Sequence, residues 1–372
     1  MVRLRGARVD AVPVWHRESV VSSKSRAVGT TGGMTGPLAA ASSAVGITFD
    51  DPALEAAVRT CLDGVESALR DAVISADPVL GEVARHLVDA GGKRFRPLLV
   101  ALAAQFGDVR APHVTRAAVV VELTHLATLY HDDVMDEAPV RRGAASANAR
   151  WGNSIAILTG DYLFARAADI AADLGPEAVR IQSRTFARLV HGQIAETVGP
   201  RESNPIEHYL QVIADKTGSL IGTSARFGAM FSGAPPPVVE AVAAYGDTIG
   251  VAFQLSDDLL DIASDSAESG KMPGTDLREG VPTLPMLYAL ADDAADAGST
   301  RLREILGHGP ITDDAVVVEA LDLLRESAAM KRARETVRGY AERARAQLAQ
   351  LPDVPARHAL ESLADFIADR SA

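Results

Sequence analysis

Apolar residues recur along most of the chain with the three- to four-residue spacing of amphipathic helices. The first such run lies between residues 54 and 69, and Asp51 precedes it where a helix-capping residue is expected. Glycines and prolines separate this run from further predicted helices over 78–87, 153–174 and 176–198. The pattern, together with an aromatic content of 5%, predicts an all-α protein.

Residues 1–48 differ from the rest of the chain. They are rich in Gly, Ser, Thr and Ala, and apolar residues show no helical spacing there. We therefore predict a disordered N-terminal extension, or a start of translation nearer Met34, followed by one domain over residues 49–372. A targeting peptide is the alternative, but this segment has no apolar stretch of the kind that such peptides contain.

One predicted helix, which includes Val114 and Leu129, is apolar on nearly every side and yet ends in carboxylates. A helix of this composition is buried. Asp132 and Asp136 lie four residues apart, so they are predicted to point in the same direction, with Asp133 beside them. Like charges at a helix C-terminus are disfavoured by each other and by the helix dipole. A bound cation would stabilise them, and carboxylate oxygens suit magnesium.

The same Asp-Asp-x-x-Asp spacing occurs again at Asp257, Asp258 and Asp261, within an apolar stretch from Ile249 to Ile262. A single copy would be equally consistent with a solvated acidic turn at a helix end. Two copies in apolar helices argue against that alternative, because facing carboxylates raise one another's pKa unless metal ions hold them ionised. The pair of motifs predicts magnesium that bridges to a diphosphate.

Further motifs accompany the aspartates. They are GGKRFRP (91–97), HDDVMD (131–136), RRG (141–143), LTGDYL (158–163), Lys216-Thr217, QLSDDLLD (254–261), and KMPGTDL (271–277) followed by TLP (283–285). On these motifs, in this order, the chain resembles the trans-isoprenyl diphosphate synthases, or polyprenyl synthetases, of the medium- and long-chain type. The resemblance begins near residue 55 and continues to the end of the sequence. It implies that residues 49–372 form a single-domain isoprenoid-synthase-type helical bundle around a central cavity.

The resemblance implies a prenyltransferase that condenses isopentenyl diphosphate head-to-tail with an allylic diphosphate. Three magnesium ions would be held by Asp132, Asp133, Asp136, Asp257, Asp258 and Asp261. Isopentenyl diphosphate would be bound by Lys93, Arg96, His125 and Arg142. The allylic diphosphate would be bound by Arg141, Lys216, Thr217, Gln254 and Lys271. The groups implied to act on the leaving diphosphate are Asp132, Asp136, Asp257, Arg141 and Lys216.

The predicted product length depends on residues that precede the first aspartate motif. Short-chain members of the family often carry a bulky aromatic residue near the fifth position before the motif, whereas this chain has Ala127 and Thr128 there. An open tunnel implies an all-trans product longer than geranylgeranyl, such as a quinone side-chain precursor. Geranylgeranyl diphosphate synthase is the alternative, because another helix can close the tunnel. Many members of the family have a further lysine where this chain has Val281-Pro282. One possible diphosphate contact of the loop before TLP (283–285) is therefore absent, and the family's exact contacts in this loop are not carried over.

Two other classes of protein share part of this pattern. A terpene cyclase has the first aspartate motif and the helical fold, but its second metal motif normally mixes Asn, Ser or Thr with Glu. It also needs no isopentenyl site. A non-catalytic partner subunit is expected to have lost some of the aspartates, and both motifs are complete here. The sequence therefore favours an active synthase.

Composition limits the partners and the location. A formal net charge of −12 argues against a nucleic-acid partner. Cys61 is the single cysteine, so the chain has no internal disulfide, which fits the reducing cytoplasm. No unbroken apolar run reaches the roughly 18 residues of a membrane-spanning helix, so no transmembrane segment is predicted. We expect a homodimer that contacts a membrane peripherally when it releases an apolar product.

Overall fold

A computed structural model describes residues 49–263 and 273–370. Most of these residues are helical and very few are in strands, which confirms the predicted all-α class. An antiparallel hairpin pairs Val140–Arg141 with Ala144–Ala145, and a π-helix covers Ala214–Gly218. A 3₁₀ turn covers Ala104–Phe106. Numbered in chain order, the α-helices are α1 (Pro52–Ala72), α2 (Pro78–Asp89), α3 (Phe95–Ala103), α4 (Pro112–Met135), α5 (Ala147–Trp151), α6 (Asn153–Leu174), α7 (Pro176–Val198), α8 (Pro205–Ile213), α9 (Ser219–Phe231), α10 (Pro236–Ala263), α11 (Thr275–Glu279), α12 (Leu284–Leu290), α13 (Ala297–Leu306), α14 (Asp314–Glu326), α15 (Ala328–Leu348) and α16 (Pro355–Asp369).

Most predicted helix boundaries agree with the structure. Asp51 caps α1, because its carboxylate accepts hydrogen bonds from the backbone N–H groups of Ala53 and Leu54. Helices α6 and α7 have the predicted bounds, and Gly175, with φ 107°, separates them. The segment that holds Lys216 and Thr217 forms α8, the π-helix and α9 in direct succession.

Helices α4 and α10 carry the two aspartate motifs and pack at the centre of the bundle. Helix α4 contacts α1, α3, α6 and α9, while α10 contacts α9, α15 and α16. Helices α9 and α10 approach closely because glycines face each other: a Cβ atom on Gly246 would lie 2.8 Å from Cα of Gly222. In the same way, a Cβ atom on Gly250 would lie 2.8 Å from Cα of Gly218. This contact brings the π-helix beside the second aspartate motif.

Helix α10 is also the one segment of the described residues that is long and apolar enough, by length and composition, to cross a membrane. This test does not contradict the prediction of no transmembrane segment, because a buried core helix passes it as well. Within the fold, 61% of the most apolar 18-residue window of α10 is buried. Helix α10 thus has the position of a core helix, and its burial accounts for its apolar composition.

Candidate active site

A cavity of about 860 Å³ is bordered by α4, α6, α7, the π-helix and α10. Most of the predicted site residues line it: Lys93, Arg96, His125, Thr128, Asp132, Arg141, Arg142, Lys216, Thr217, Gln254 and Asp257. Its apolar lining, which the sequence did not indicate, comes from Leu129, Phe164, Phe186, Leu189, Val190 and Ile221. The cavity therefore combines charged groups that suit a diphosphate with apolar walls that suit a hydrocarbon chain. The predicted ligand Lys271 lies outside the described residues.

Positive charge is concentrated around Arg96. Its Nε atom is buried without a hydrogen-bond partner. Burial lowers the pKa of Arg96 to about 10; the charge of Glu122 opposes this shift, and that of Arg142 adds to it. Burial, and then the charges of Arg96 and Arg142, also hold the pKa of His125 well below its ordinary value. His125 is therefore neutral near pH 7, and the arginines provide the charge for an anion.

Gly92 allows Arg142 to reach this region. A Cβ atom on Gly92, which has φ 142°, would lie 2.8 Å from the guanidinium carbon of Arg142. Arg142 donates hydrogen bonds from Nη1 to the carbonyl oxygens of Leu87, at 2.9 Å, and Gly91. A side chain at position 92 would displace this guanidinium, and the φ of 142° is itself strained for any residue that carries a Cβ atom.

Arg94 holds the loop before α3, a role that the motif did not reveal. It is buried, has φ 45°, and pairs with Glu66 and with Oε1 of Glu122 at 3.0 Å. It also donates to the carbonyl oxygens of Val88, at 3.0 Å, and Gly91, at 3.1 Å. A buried charge needs such partners. Glu66 and Glu122 were visible in the sequence as acidic residues within apolar helical patterns, and that signal could have identified them.

The three aspartates of the first motif have different environments. Asp132 lines the cavity, and burial raises its pKa to about 6, although the charge of Lys216 opposes the shift. Asp133 is 0% exposed; its Oδ1 accepts a hydrogen bond from Nε of Arg141 at 2.6 Å, while its Oδ2 is buried without a partner. Asp136 is exposed at the end of α4. In this structure only Asp132 of the three lines the cavity.

In the second motif, too, only one of the three aspartates lines the cavity. Asp257 lines the cavity, and its Oδ1 lies 2.8 Å from Nη2 of Arg370. Asp258 accepts hydrogen bonds from the Tyr209 hydroxyl and, at 2.8 Å, from Nε2 of Gln254. Burial raises the pKa of Asp258 to about 7, and the two hydrogen bonds limit that shift. The carboxylate of Asp261 accepts from a backbone N–H at 3.2 Å.

The carboxylates fit magnesium if a diphosphate supplies further oxygens. Among residues 49–263 and 273–370, no three His, Cys, Asp or Glu side chains form a group that could hold an ion unaided. Magnesium is usually held by one or two carboxylates together with substrate phosphates, and Asp132 and Asp257 line the same cavity. Oδ2 of Asp133 has no hydrogen-bond partner and is a further oxygen atom of the first motif that could bind a metal ion. The number of ions stays a prediction.

The π-helix presents Lys216 and Thr217 to the cavity. Lys216 pairs with Oε2 of Glu196 at 2.5 Å, and Thr217 donates to Oε1 of Gln254 at 3.1 Å. A Cβ atom on Gly192 of α7 would lie 2.7 Å from the backbone nitrogen of Lys216, so this glycine allows the approach. π-Helical turns are frequent at functional sites. An incoming anion would have to compete with Glu196 for Lys216.

The two predicted chain-length residues differ in position. Thr128 is half-buried on the cavity wall, and its hydroxyl donates to the carbonyl oxygen of His125 at 2.7 Å. Ala127 is fully buried and is not part of the lining. Phe164 and Phe186, whose ring centroids lie 4.3 Å apart, contribute aromatic bulk that the sequence argument did not consider.

Without metal, Asp258→Asn is expected to stabilise the protein increasingly as the pH rises. The raised pKa of Asp258, about 7 against an ordinary value of 3.8, means that the native state binds this proton more tightly than the unfolded state. The contribution of Asp258 to the free energy of unfolding therefore falls as the pH rises from about 4 to about 7. Asparagine does not titrate, so the variant does not show this fall. Thermal melts of both proteins in EDTA across this range measure the effect.

The comparison with the variant is necessary because His125 acts in the opposite direction. Its lowered pKa gives stability that is lost as the pH falls below the ordinary histidine value of 6.5. This contribution is common to both proteins and cancels in the difference between them. A difference in melting temperature that does not change between pH 4 and pH 7.5 would contradict the assignment.

The chain is similar to known proteins along most of its length. A family model described as polyprenyl synthetase matches residues 77–324. The chain is 54% identical over 327 residues to nonaprenyl diphosphate synthase of Mycobacterium tuberculosis, covering 87% of this chain and 97% of that protein. A geranylgeranyl pyrophosphate synthase from Corynebacterium glutamicum, complexed with calcium and isoprenyl diphosphate, is 46% identical with a TM-score of 0.79, covering 88% and 100%. A decaprenyl diphosphate synthase from Rhodobacter capsulatus is 35% identical with a TM-score of 0.77, covering 86% and 98%.

Proposed function

The chain belongs to the polyprenyl synthetase family, and we propose that it forms an all-trans polyprenyl diphosphate longer than C20. The reaction joins isopentenyl diphosphate head-to-tail (1′-4) to an allylic diphosphate. The observation that supports this most is one cavity that is lined both by Asp132 and Asp257, from the two motifs, and by Arg96 and Arg142. The aspartates would bind one diphosphate through metal, and the arginines would bind a second diphosphate directly. The apolar walls would accommodate a growing hydrocarbon chain.

The allylic diphosphate is proposed to bind between the two aspartate motifs. Magnesium, when bound there, neutralises charge that develops on the leaving diphosphate. Asp132 and Asp257 would hold it from α4 and α10, assisted by Asp133, Asp136, Asp258 and Asp261. Fixed positive charge for the same diphosphate would come from Arg141, Lys216 and Lys271, and hydrogen bonds from Thr217 and Gln254. That positive charge stabilises the leaving group most when the bond has broken.

The proposed reaction needs little acid–base chemistry from the protein. The C–O bond of the allylic substrate breaks with both electrons on the diphosphate, which leaves an allylic cation. The double bond of isopentenyl diphosphate, held by Lys93, Arg96, His125 and Arg142, supplies the electron pair of the new C–C bond. The released diphosphate then takes the proton, and a new double bond forms. His125, neutral at pH 7, would act as a hydrogen-bonding group.

A product longer than C20 is favoured by the relatives and by the small residues before the first motif. Matched proteins include nonaprenyl, decaprenyl and octaprenyl diphosphate synthases. Geranylgeranyl diphosphate is the second candidate, because the relative from Corynebacterium glutamicum carries that name. The Phe164–Phe186 pair on the cavity wall would favour this shorter product. No contact among residues 49–263 and 273–370 favours a terpene cyclase or a non-catalytic subunit.

Product analysis tests the proposal. Purified protein with magnesium would be incubated with radiolabelled isopentenyl diphosphate and, separately, C10, C15 and C20 allylic primers. Chromatography of the dephosphorylated products is expected to give a chain beyond C20 from at least one primer. A product that ends at C20 would support the geranylgeranyl alternative, and no labelled product from any primer would contradict the proposed reaction.

Thr128→Phe is expected to shorten this product. Thr128 precedes Asp132 by one helical turn, roughly 6 Å along α4, so its side chain would meet the growing chain soon after the diphosphate. Overpacking of an apolar channel costs typically about 1–3 kcal/mol. Elongation should therefore end near C15 or C20, while the first condensations continue. The measurement is the chain-length distribution of wild type and variant.

One control variant and one second test accompany this prediction. Thr128→Val removes the hydroxyl with little change in volume and should keep the wild-type product length. Ala127→Phe is expected to shorten the product as well, and it should also lower the melting temperature because Ala127 is fully buried. An unchanged product from Thr128→Phe would remove Thr128 from the tunnel wall, and an unchanged product from Ala127→Phe would contradict a role of Ala127 in chain length.

A homodimer is proposed from the exposed apolar surface of α6 and α7, which pack together. Large apolar side chains are exposed there at Ile157, Leu158, Ile194 and Val198. Apolar side chains exposed on neighbouring helices commonly mark a protein interface. Analytical ultracentrifugation that gave only a monomer would contradict the dimer. A cytoplasmic location is proposed because the single cysteine fits a reducing compartment. A peripheral membrane contact during product release is proposed because the product is apolar.

A further inference from the structure

Arg370, at the end of α16, contacts the second aspartate motif directly. Its side chain is only 10% exposed. Nε donates to the hydroxyl of Ser256 at 2.8 Å, and Nη2 lies 3.0 Å from the carbonyl oxygen of Phe253 and 2.8 Å from Oδ1 of Asp257. Because two of its nitrogens bind three separate acceptors on α10, the guanidinium is held in one orientation.

Aromatic rings enclose the same guanidinium. Its central carbon lies 4.7 Å from the ring centroid of Phe253 and 6.0 Å from that of Phe366. Phe253 lines the cavity and stacks on Phe95 at 4.7 Å, so these contacts extend from α16 to the residue before Arg96. Cation–π contact of a largely desolvated arginine adds to the polar contacts. The cation beside Asp257 is therefore fixed by packing as well as by charge.

We propose that Arg370 is a positioning residue that orients Asp257 for metal and diphosphate binding. The inference rests on the proposed function. Arg370 occupies Oδ1 of Asp257, so it determines how the carboxylate presents its other oxygen to the cavity. Residues that bind metal-ligating carboxylates from behind typically contribute roughly 10–100-fold to metal affinity or activity. None of the sequence motifs indicated this residue.

A binding measurement tests the role without turnover. Inorganic diphosphate is the probe, and the readout is the magnesium concentration that gives half of the maximal thermal stabilisation. For Arg370→Ala this concentration is expected to rise by roughly 10–100-fold. Arg370→Lys keeps the charge but cannot bind all three acceptors, so an intermediate rise is expected. Ser256→Ala removes only the acceptor of Nε, and a smaller rise in the same direction is expected.

The matched control is Arg345→Ala. Arg345 pairs with Asp365 of α16 at 2.9 Å, and both side chains are about half exposed, so this variant removes an arginine contact to the same helix far from the aspartates. It should keep the wild-type magnesium dependence. The proposal would be overturned if wild type and Arg370→Ala needed the same magnesium concentration for half-maximal stabilisation. It would also be overturned if Arg370→Ala and Arg345→Ala raised that concentration equally. A lower magnesium concentration for half-maximal stabilisation of Arg370→Ala would also overturn the proposal, because Arg370 would then compete with the metal.

The steady-state kinetics of the same proteins provide a second readout. Arg370→Ala is expected to raise the magnesium concentration required for activity more than it raises KM for isopentenyl diphosphate. The reverse ranking would assign Arg370 to substrate binding and overturn the positioning role. If wild-type protein itself shows no stabilisation by magnesium and diphosphate, then the proposed function fails, and this outcome is distinct from a failure confined to Arg370.

Discussion

Replacement of Asp132 by asparagine is expected to lower kcat by roughly two to three orders of magnitude, the usual cost of one lost electrostatic contact at a developing charge. Asparagine keeps the shape of the side chain and removes its charge. Burial raises the pKa of Asp132 to about 6, so assays at pH 8 compare an ionised carboxylate with a neutral amide. The effect should appear in kcat, because Asp132 is proposed to act at the leaving diphosphate.

Asp257→Asn should give a loss of the same order, since Asp257 lines the cavity from the opposite motif. Asp173→Asn is the matched control, because its side chain is 69% exposed on α6 and reaches Arg116 only at 3.8 Å. Circular dichroism and thermal melts establish that each variant is folded. Activity within a few-fold of wild type in Asp132→Asn or Asp257→Asn would contradict the metal assignment.

Removal of divalent cations is expected to abolish turnover completely. The described residues contain no group of three ligands that could hold an ion unaided, so bound metal should depend on the diphosphate and exchange readily. EDTA should therefore remove activity, and excess magnesium should restore it. The measurement is incorporation of radiolabelled isopentenyl diphosphate before chelation, after chelation and after magnesium is returned.

The same dependence should appear in stability. Magnesium and inorganic diphosphate bind only the native state, so stabilisation should grow with the logarithm of ligand concentration and reach about 2.7 kcal/mol at 100 times Kd. Magnesium alone should give a much smaller shift, because the carboxylates need phosphate oxygens beside them. Asp132→Asn serves as the control that should lose most of the combined shift. Full activity in EDTA, or equal shifts with and without diphosphate, would count against the proposal.

The helices and the approximate membership of the site could be predicted because both depend on residues close together in the sequence. Spacing of apolar positions and glycine or proline breaks located α6 and α7 with their observed bounds. The two aspartate motifs were also readable, since a buried helix that carries adjacent carboxylates needs a compensating cation. His125 and Asp132, seven residues apart in α4, both line the cavity as two turns of helix require.

The orientation of each carboxylate could not be predicted, because it depends on partners from distant parts of the chain. Asp132 and Asp133 are equivalent acids in the motif, yet Asp133 is buried against Arg141 while Asp132 lines the cavity. Arg370 binds the second motif through Ser256, a residue 114 positions away. Such contacts form only when helices pack, since hydrogen bonds and desolvation act over a few ångströms in space regardless of sequence separation. Local spacing therefore predicts which helices carry the chemistry, and packing selects which carboxylates face the cavity.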